Sequence, residues 1–394
     1  MNRSLVLVCT TSAVMLAAGR AAYAGPIDPP AGPVSSSMKP LDQVEPRIAI
    51  STANTPGDSD SLFRITQPGS YYLTGNVTGV AGKSGIEIAA GGVTVDLNGF
   101  HMEGVAGSLD GVTTPSGVVG VTVRDGVIQS WGGSGVNLKQ SHSCRVSGVT
   151  ASYNGGAGIQ PGQRSLVEGC VAHQNSGLGI STGTQCVVRG CAATQNSLSG
   201  IFAYAGSTVE ASTAQANGGA GIEVGNGSAA RGCTASGNEA SGIQASDSSQ
   251  VLDCIATSNG LHGIDAGWGV QISRCSANTN QGHGIECGAY GVVTDSNCRQ
   301  NGQGASGGAG LYVGAAGTRA RLEGNNCVQN DWGIRIDGTT NLAFGNTCTS
   351  NGSNFEIVAN NRVGAVVVLP MSGAVSGNSG GSSVGADPVC NFAF

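Results

Sequence analysis

Residues 217–237 read NGGAGIEVGNGSAARGCTASG and residues 238–258 read NEASGIQASDSSQVLDCIATS, so one pattern returns after 21 residues. Each unit opens with an Asn, and a Gly-Ile pair follows four residues later. The same Asn recurs at this interval at Asn154, Asn175, Asn196, Asn217, Asn238, Asn259, Asn280 and Asn301. A sequence period of this length indicates one structural unit stacked on copies of itself.

The repeating unit consists of short fragments in which apolar and polar residues alternate, as in Ile222-Glu223-Val224. Such alternation is typical of strands, and Gly is too frequent for helices, with 67 glycines in 394 residues. We therefore predict an all-β fold, a single right-handed parallel β-helix of about 12 to 13 coils with three short strands per coil. Like residues of successive coils are expected to stack at about 4.8 Å.

Two columns of like residues are expected to run through the coils. The Asn column suits a sharp turn, because Asn tolerates the left-handed backbone conformation, and its amides can link successive coils. A second column holds Cys five residues before the Asn, at Cys170, Cys191, Cys233, Cys254 and Cys275. We predict that most cysteines pack as buried free thiols. Four cysteines lie off this column: Cys144, Cys186, Cys287 and Cys390.

The first 24 residues have the pattern of a secretory signal peptide. Arg3 precedes an apolar run from Leu5 to Ala18, and Ala22-Tyr23-Ala24 resembles a cleavage site. The apolar run is too short to span a membrane. We therefore expect a protein that is secreted, periplasmic or on the cell surface, without membrane insertion.

The rest of the chain is expected to divide around the repeat. The predicted segments are a Pro/Ser-rich extended leader (25–60), an N-terminal cap (61–80), the β-helix (81–362), and a C-terminal strand with a closing tail (363–394). Within the helix, residues 104–117 are expected to form an inserted loop, and residues 303–310 a widened turn. The net charge of −6 and the lack of any Lys/Arg run argue against nucleic acid as a partner.

The spacing of residue types in residues 221–238 resembles the right-handed β-helix repeat of the pectate lyase-like superfamily. The resemblance covers roughly residues 80–360. The superfamily includes pectate lyases, polygalacturonases, mannuronan epimerases and phage tailspikes. The resemblance therefore implies the coil strongly and the activity hardly at all.

Two short motifs resemble signatures of polygalacturonase-type glycoside hydrolases. They are Gly282-His283-Gly284 and residues 333–336, which read GIRI. The places where that family carries aspartates hold Ser241 and His262 here, and Asp337 replaces its basic partner. These departures leave the family's catalytic constellation incomplete.

The residue after each repeat Ile is expected to face outward, and these residues form a column that is rich in acids and amides. Carboxylates spaced by one coil are expected to raise one another's pKa, as a general acid requires. The candidate catalytic residues are Asp265, Glu286, Glu223, His283, His262 and Arg335. The candidate substrate-binding residues are Phe202, Tyr204, Gln244, Trp268 and Tyr312.

Two functions remain open from the sequence. The first is a binding or structural protein that presents an acidic and aromatic strand face to extracellular glycans or cell-envelope partners. The second is a polysaccharide-active enzyme, a glycoside hydrolase or lyase, that uses the paired carboxylates of this face. No metal or cofactor is predicted, except that Ca²⁺ would be needed to bridge an anionic polymer to an acidic face.

Overall fold

The computed structural model describes residues 45–302, 307–368 and 390–393. The predicted signal peptide lies outside these residues, as do most of the leader and most of the closing tail. The described part is an all-β, right-handed parallel solenoid, and its residues from Pro46 onward belong to one compact unit. Among the described residues, no helix has the length and hydropathy of a membrane span.

One strand of each coil belongs to a parallel sheet of 14 strands, here called sheet 1. Its strands are Ser61–Ile65, Ser84–Ile88, Val112–Thr113, Val136–His142, Ile159–Gln163, Ile180–Thr182, Ile201–Ala203, Ile222–Val224, Ile243–Ala245, Ile264–Ala266, Ile285–Cys287, Ala309–Val313, Trp332–Ile336 and Ser353–Ile357. The described coils thus slightly exceed the 12 to 13 expected, because the chain before residue 81 also winds into coils.

The other strands of each coil belong to a second parallel sheet of 28 strands, here called sheet 2. Its strands are Ile48–Ala49, Gly69–Tyr72, Val77–Thr78, Val93–Asp96, His101–Glu103, Thr122–Gln129, Arg145–Ser152, Leu166–Glu168, Val171–His173, Val187–Arg189, Ala192–Thr194, Thr208–Glu210, Thr213–Gln215, Ala229–Arg231, Thr234–Ser236, Gln250–Leu252, Ile255–Thr257, Gln271–Ser273, Ser276–Asn278, Val292–Thr294, Asn297–Arg299, Arg321–Glu323, Asn326–Val328, Leu342–Phe344, Thr347–Thr349, Arg362–Val363, Val366–Val368 and Asn391–Ala393.

The interior of the solenoid is narrow and is filled by small and branched apolar residues. In sheet 1 the repeat Ile points inward in every coil, and Ile180, Ile201 and Ile222 are fully buried. The Gly before the Ile has no room for a side chain. A Cβ on Gly221 would lie 2.6 Å from the Nδ2 atom of Asn238. The Gly-Ile pair of the repeat is therefore fixed by close packing between neighbouring coils.

The predicted Asn column is confirmed, and its hydrogen bonds join successive coils. The Asn217 Oδ1 atom accepts hydrogen bonds from the backbone N–H and the side-chain amide of Asn196, at 3.0 Å each. The Asn217 amide donates to the carbonyl of Ala193 (3.1 Å) and to Asn238 Oδ1 (2.9 Å). Each buried amide is thereby satisfied in the interior.

The conformational reason given for the Asn column is wrong. The left-handed residue is the one before the Asn, for example Gln174 (φ 50°), Gln195 (φ 54°) and Ala216 (φ 53°). The preceding residue makes the turn and the Asn then points inward. The Asn is therefore required for its hydrogen bonds between coils rather than for its backbone freedom.

The prediction of free thiols is confirmed for the described cysteines, all of which are buried and unpaired. Cys144 and Cys186, which had no assigned place, lie on a further inward column together with Ser165 and Ser207. In this column the backbone N–H of one coil donates to the Oγ or Sγ atom of the next, at 3.0 to 3.3 Å. These thiols therefore fill interior positions that small polar residues occupy in other coils.

One expectation about an irregular segment is wrong. Residues 104–117 are not a loop outside the coils, because Val112–Thr113 is a strand of sheet 1 paired with Ile86 and Glu87. Val112 is fully buried at an interior position. At the other end, Asn391 extends an inward column, since Asn346 donates to its Oδ1 atom from the backbone (3.0 Å). The end of the chain thus adds a strand to the last coil.

Candidate functional site

The outward column of sheet 1 exists as predicted, with each residue in register with its neighbour on the next coil. It runs through Ser181, Phe202, Glu223, Gln244, Asp265, Glu286, Tyr312, Arg335 and Glu356. The alternation of the pleat, with the repeat Ile inward, turns these side chains to the outer face. The register follows from the inward packing, and this places the candidate residues on one line.

The acidic part of the column lies in its middle. Glu223 accepts a hydrogen bond from the Ser199 hydroxyl. Gln244 separates Glu223 from Asp265, and its amide donates to Asp265 Oδ2 at 3.5 Å. Asp265 and Glu286 are direct neighbours in the register. The structure therefore pairs Asp265 with Glu286, while Glu223 stands two coils away.

Glu286 faces the side chain of His262, which lies on the preceding coil. Glu286 Oε2 is 3.2 Å from His262 Nε2. Burial raises the pKa of the Glu286 carboxyl; the facing His262 ring lowers it, and the Asp265 carboxylate raises it. The net effect is a raised pKa, so the Glu286 carboxyl keeps its proton to higher pH than an ordinary Glu does. A raised pKa of this kind is a property of general acids.

Three rings stack across successive coils beside this carboxyl. The rings of His262 and His283 are nearly parallel, with centroids 5.0 Å apart and an interplanar angle of 5°. The Tyr312 ring continues the stack, 4.1 Å from the His283 centroid. Stacking fixes the orientation of both imidazoles relative to the sheet.

Backbone hydrogen bonds select the tautomer of both histidines. His262 Nδ1 accepts the backbone N–H of His283 (3.0 Å), and His283 Nδ1 accepts the backbone N–H of Ala309 (3.0 Å). An Nδ1 atom that accepts leaves the proton of a neutral ring on Nε2. Burial lowers the pKa of His283 to about 4; His262 and Arg335 act in the same direction, and Asp337 opposes them. His283 is therefore a neutral hydrogen-bond donor at physiological pH.

A second group of side chains adjoins the stack at Tyr312. The Tyr312 hydroxyl donates to Asp337 Oδ2 (3.1 Å), and Arg335 Nε donates to the same carboxylate, at 3.1 Å to Oδ1 and 3.2 Å to Oδ2. The Arg335 guanidinium also lies 4.6 Å from the centroid of the Trp332 ring. These contacts hold Arg335 and Tyr312 in place on the outer face.

The remaining aromatic candidates occupy two places. Phe202 and Tyr204 form an edge-to-face pair with centroids 4.8 Å apart, further along the same face. Trp268 lies on the turn after its sheet 1 strand and pairs with Tyr290, 6.5 Å between centroids. The structure thus unites Asp265, Glu286, His262, His283, Tyr312 and Arg335 in one cluster, here called the sheet 1 cluster, and leaves the other candidates outside it.

Comparisons with known proteins agree with this architecture. The family model described as "Right handed beta helix region" matches residues 76–231. The chain is a right-handed parallel β-helix. A search of curated protein sequences found no match to it.

Solved structures of similar fold include two modules from Azotobacter vinelandii. The A-module of mannuronan C-5 epimerase AlgE4 has a TM-score of 0.54 and 16% identity, covering 76% of the β-helix chain and 91% of the module. The A-module of AlgE6 has a TM-score of 0.52 and 18% identity, covering 77% of this chain and 92% of the module. At this identity the similarity establishes the fold.

The sheet 1 cluster contains a set of potential metal ligands that does not suit a metal ion. Ligand atoms of His262, His283 and Glu286 lie within 4.8 Å of one another. A His that ligates through Nε2 normally donates its Nδ1–H to a partner, whereas both Nδ1 atoms here face backbone N–H donors. Ca²⁺, which prefers oxygen ligands, fits two imidazoles poorly. The arrangement favours hydrogen bonding and proton transfer.

Sequence reasoning did not assign three residues of the β-helix that contribute to these surfaces: Trp332, Asp337 and Tyr290. Trp332 is the residue before a repeat Gly, and it joins sheet 1 because the strand Trp332–Ile336 begins two residues early. Asp337 follows the repeat Ile by three residues, as Tyr204 does, so its position was visible in the sequence. Its hydrogen bonds to Tyr312 and Arg335 were not.

Proposed function

We propose that the protein is exported and that it binds a glycan along the outer face of sheet 1. The observation that carries the proposal is the continuous register of outward-facing aromatic and hydrogen-bonding side chains from Phe202 to Arg335, most of which are half-buried. Phe202 and Tyr204 offer ring faces to a sugar, and Asp265 and Glu286 offer acceptors to its hydroxyls. The two similar solved structures are epimerases named for a polysaccharide, which supports a glycan as the ligand.

The charge of this face selects among glycans. Asp265, Glu286 and Asp337 are acidic, and Arg335 is already bonded to Asp337. A polyanionic chain is repelled by such a surface unless cations bridge it. A neutral or amino-bearing glycan is therefore the ligand class that this face fits best.

Binding is tested by screening the mature protein against a glycan array and measuring the affinity for the glycans that bind. The double variant Phe202→Ala/Tyr204→Ala is expected to lose about tenfold in affinity or more, because it removes both ring faces. Tyr153→Ala is the matched control, since Tyr153 is equally exposed but lies off sheet 1. Equal affinities of the double variant and the control would reject the site.

Export is tested separately by fractionating cells that express the full chain. The N-terminal sequence of the exported protein is expected to begin at Gly25. A protein that stays in the cytoplasm with its N-terminus intact would contradict this part of the proposal.

A second candidate function is hydrolysis of the bound glycan, with Glu286 as the general acid and Asp265 as its carboxylate partner. The raised pKa of Glu286 favours it. The two residues lie on adjacent coils, which are about 4.8 Å apart, near the separation of about 5 Å used by retaining glycosidases. The Nε2–H of His262 holds the Glu286 side chain in place.

Catalysis is tested by product analysis of the same glycans. Glu286→Gln is expected to abolish release of oligosaccharides while glycan binding is retained, and Glu239→Gln, at an exposed position of an earlier turn, is expected to leave release unchanged. Binding without any released product in the wild type would reject catalysis and leave the binding function standing.

A further inference from the structure

The edge of the solenoid where sheet 1 turns into sheet 2 carries a row of cavities, and this row is here called the groove. Three open cavities lie on it, of about 520, 280 and 750 Å³. Most of their lining residues occupy the same turn and the first position of the following strand on successive coils, and Arg189, Glu210 and Arg231 reach the cavities from the last position of their strands. Thr208, Ala229 and Gln250 of the middle cavity stand in register, as do Arg321, Leu342 and Arg362 of the last.

The groove has a local structural cause. Each of these turns contains a left-handed residue, such as Arg164 (φ 54°) or Arg319 (φ 57°). The next residue points into the core, and the residue after that begins the sheet 2 strand and points outward. Side chains therefore stand on both sides of a buried residue in the coils where the left-handed residue is not Gly, and the turn is lower at Gly206 and Gly227. Stacking these coils lines up the gaps parallel to the axis.

The groove collects arginines in an acidic protein. Six arginines line the three cavities: Arg164, Arg189, Arg231, Arg319, Arg321 and Arg362. The lining contains a single acid, Glu210. Arg189 and Arg321 have carboxylate partners, and the other four have no carboxylate partner among the described residues.

An aromatic pair bridges the two cavities nearer the C-terminal end. Trp268 and Tyr290 stand on the two coils between them and are 61% and 49% exposed. Arg319 donates to the Tyr290 hydroxyl (3.1 Å) and lies 5.5 Å from its ring centroid. Exposed rings beside arginines and neutral amides, such as Gln250, give a surface for sugar rings as well as for anions.

We propose that this groove binds an extended acidic polysaccharide parallel to the solenoid axis, with the arginines on its carboxylate or sulfate groups and with Trp268 and Tyr290 against its sugars. The site is separate from the sheet 1 cluster and goes beyond the function proposed for it. From the coil of Arg164 to that of Arg362 the groove covers nine steps of about 4.8 Å, roughly 43 Å.

The spacing of the arginines favours a polysaccharide over a nucleic acid. The four arginines without a carboxylate partner give roughly one cation per 11 Å over this length, whereas a nucleic acid strand carries one phosphate per about 3.4 Å. A polysaccharide with an acidic group on every second sugar has the sparser charge that the groove matches.

The test uses the mature full-length protein and hyaluronan octasaccharide, which carries a carboxylate on every second sugar. Arg319→Gln/Arg362→Gln is expected to weaken binding by about tenfold or more and to reduce its dependence on salt. Arg274→Gln/Arg299→Gln is the matched control, because it removes the same charge from exposed positions outside the groove. It is expected to change the affinity less than about twofold. Unchanged melting temperatures exclude a folding defect.

Two further probes make the outcome decisive. Neutral dextran is expected not to bind in this groove, in either the wild-type protein or the variant. The proposal is overturned if the wild-type protein does not bind hyaluronan. It is also overturned if the groove variant and the control variant lose the same affinity for hyaluronan. Tighter binding of a single-stranded dT oligonucleotide than of hyaluronan also overturns it and assigns the groove to nucleic acid.

Discussion

Each histidine of the sheet 1 cluster accepts a backbone hydrogen bond at Nδ1, and this one contact determines its chemistry. A neutral imidazole with Nδ1 occupied carries its proton on Nε2. His262 directs that proton toward Glu286, and the stacking of His283 on Tyr312 holds its ring in place. The cluster therefore presents an Nε2–H donor beside a carboxyl of raised pKa, which is an arrangement for binding sugar hydroxyls or for moving a proton to a leaving group.

The lowered pKa of His283 predicts a dependence of stability on pH. Its value of about 4 lies below the ordinary 6.5, so the unfolded chain binds more protons between these values. The stabilising contribution is present above pH 6.5 and is lost as the pH falls towards 4. We expect the urea midpoint of the wild type to fall over this window and that of His283→Gln to fall less.

The comparison with the variant is necessary because other groups titrate nearby. Glu286, with its raised pKa, acts in the opposite direction, and it is present in both proteins. The direct check is an NMR titration in which the ring signal missing from His283→Gln shows a midpoint near pH 4. A midpoint at 6.5 would contradict the buried, neutral state of this ring.

At the scale of strands and turns, the β-helix depends on a two-residue device, a left-handed residue followed by an inward one. In most coils the inward residue is Asn, Ser or Cys, and its side chain bonds to the neighbouring coil, whereas Val270 and Ala320 fill this place with apolar side chains. The left-handed residue is often not Gly, as at Gln195 and Ala211. The strained left-handed backbone of this residue persists because these hydrogen bonds hold the turn beside it in place.

Asn217→Ala is expected to be strongly destabilising. It leaves the backbone N–H and amide of Asn196 and the carbonyl of Ala193 without their partner inside the core. Because each buried unsatisfied group costs about 1–3 kcal/mol, we expect a loss of about 3 kcal/mol or more. The measurement is the shift of the urea unfolding curve. Asn226→Ala, at an exposed position in the next turn, is the control; similar shifts for both would show that the Asn column does not stabilise the coil.

At the scale of the whole molecule, the buried cysteines predict how the protein responds to redox conditions. The 12 described cysteines are free and buried, so they contribute as small interior side chains and not as cross-links. Native protein is expected to react slowly with Ellman's reagent and fully only when unfolded. Its melting temperature should not change with dithiothreitol. A fall in melting temperature under reduction would reveal disulfides and contradict the free thiols.

The sheet 1 cluster was only partly predictable. The column from Glu223 to Glu286 follows from the repeat, because one fixed period places equivalent residues on one line. His262 and His283 were candidates, but the orientation and tautomer of His283 depend on Tyr312 and Ala309 of the next coil, and the tautomer of His262 depends on the backbone N–H of His283. Trp332 and Asp337 entered through side-chain contacts that no local pattern indicates.

The sequence by itself determined the solenoid, the size of its coils and the direction of each repeat side chain, because a 21-residue period carries these features in every unit. Only the tertiary structure decided which irregular residues meet. The six groove arginines belong to no sequence run, yet they line one edge because each lies on or shortly after the equivalent turn, in five different coils. Because the coils stack, residues that are distant along the chain become neighbours about 4.8 to 10 Å apart. The stacking of the coils thus brings the arginines together into a basic groove in an acidic protein.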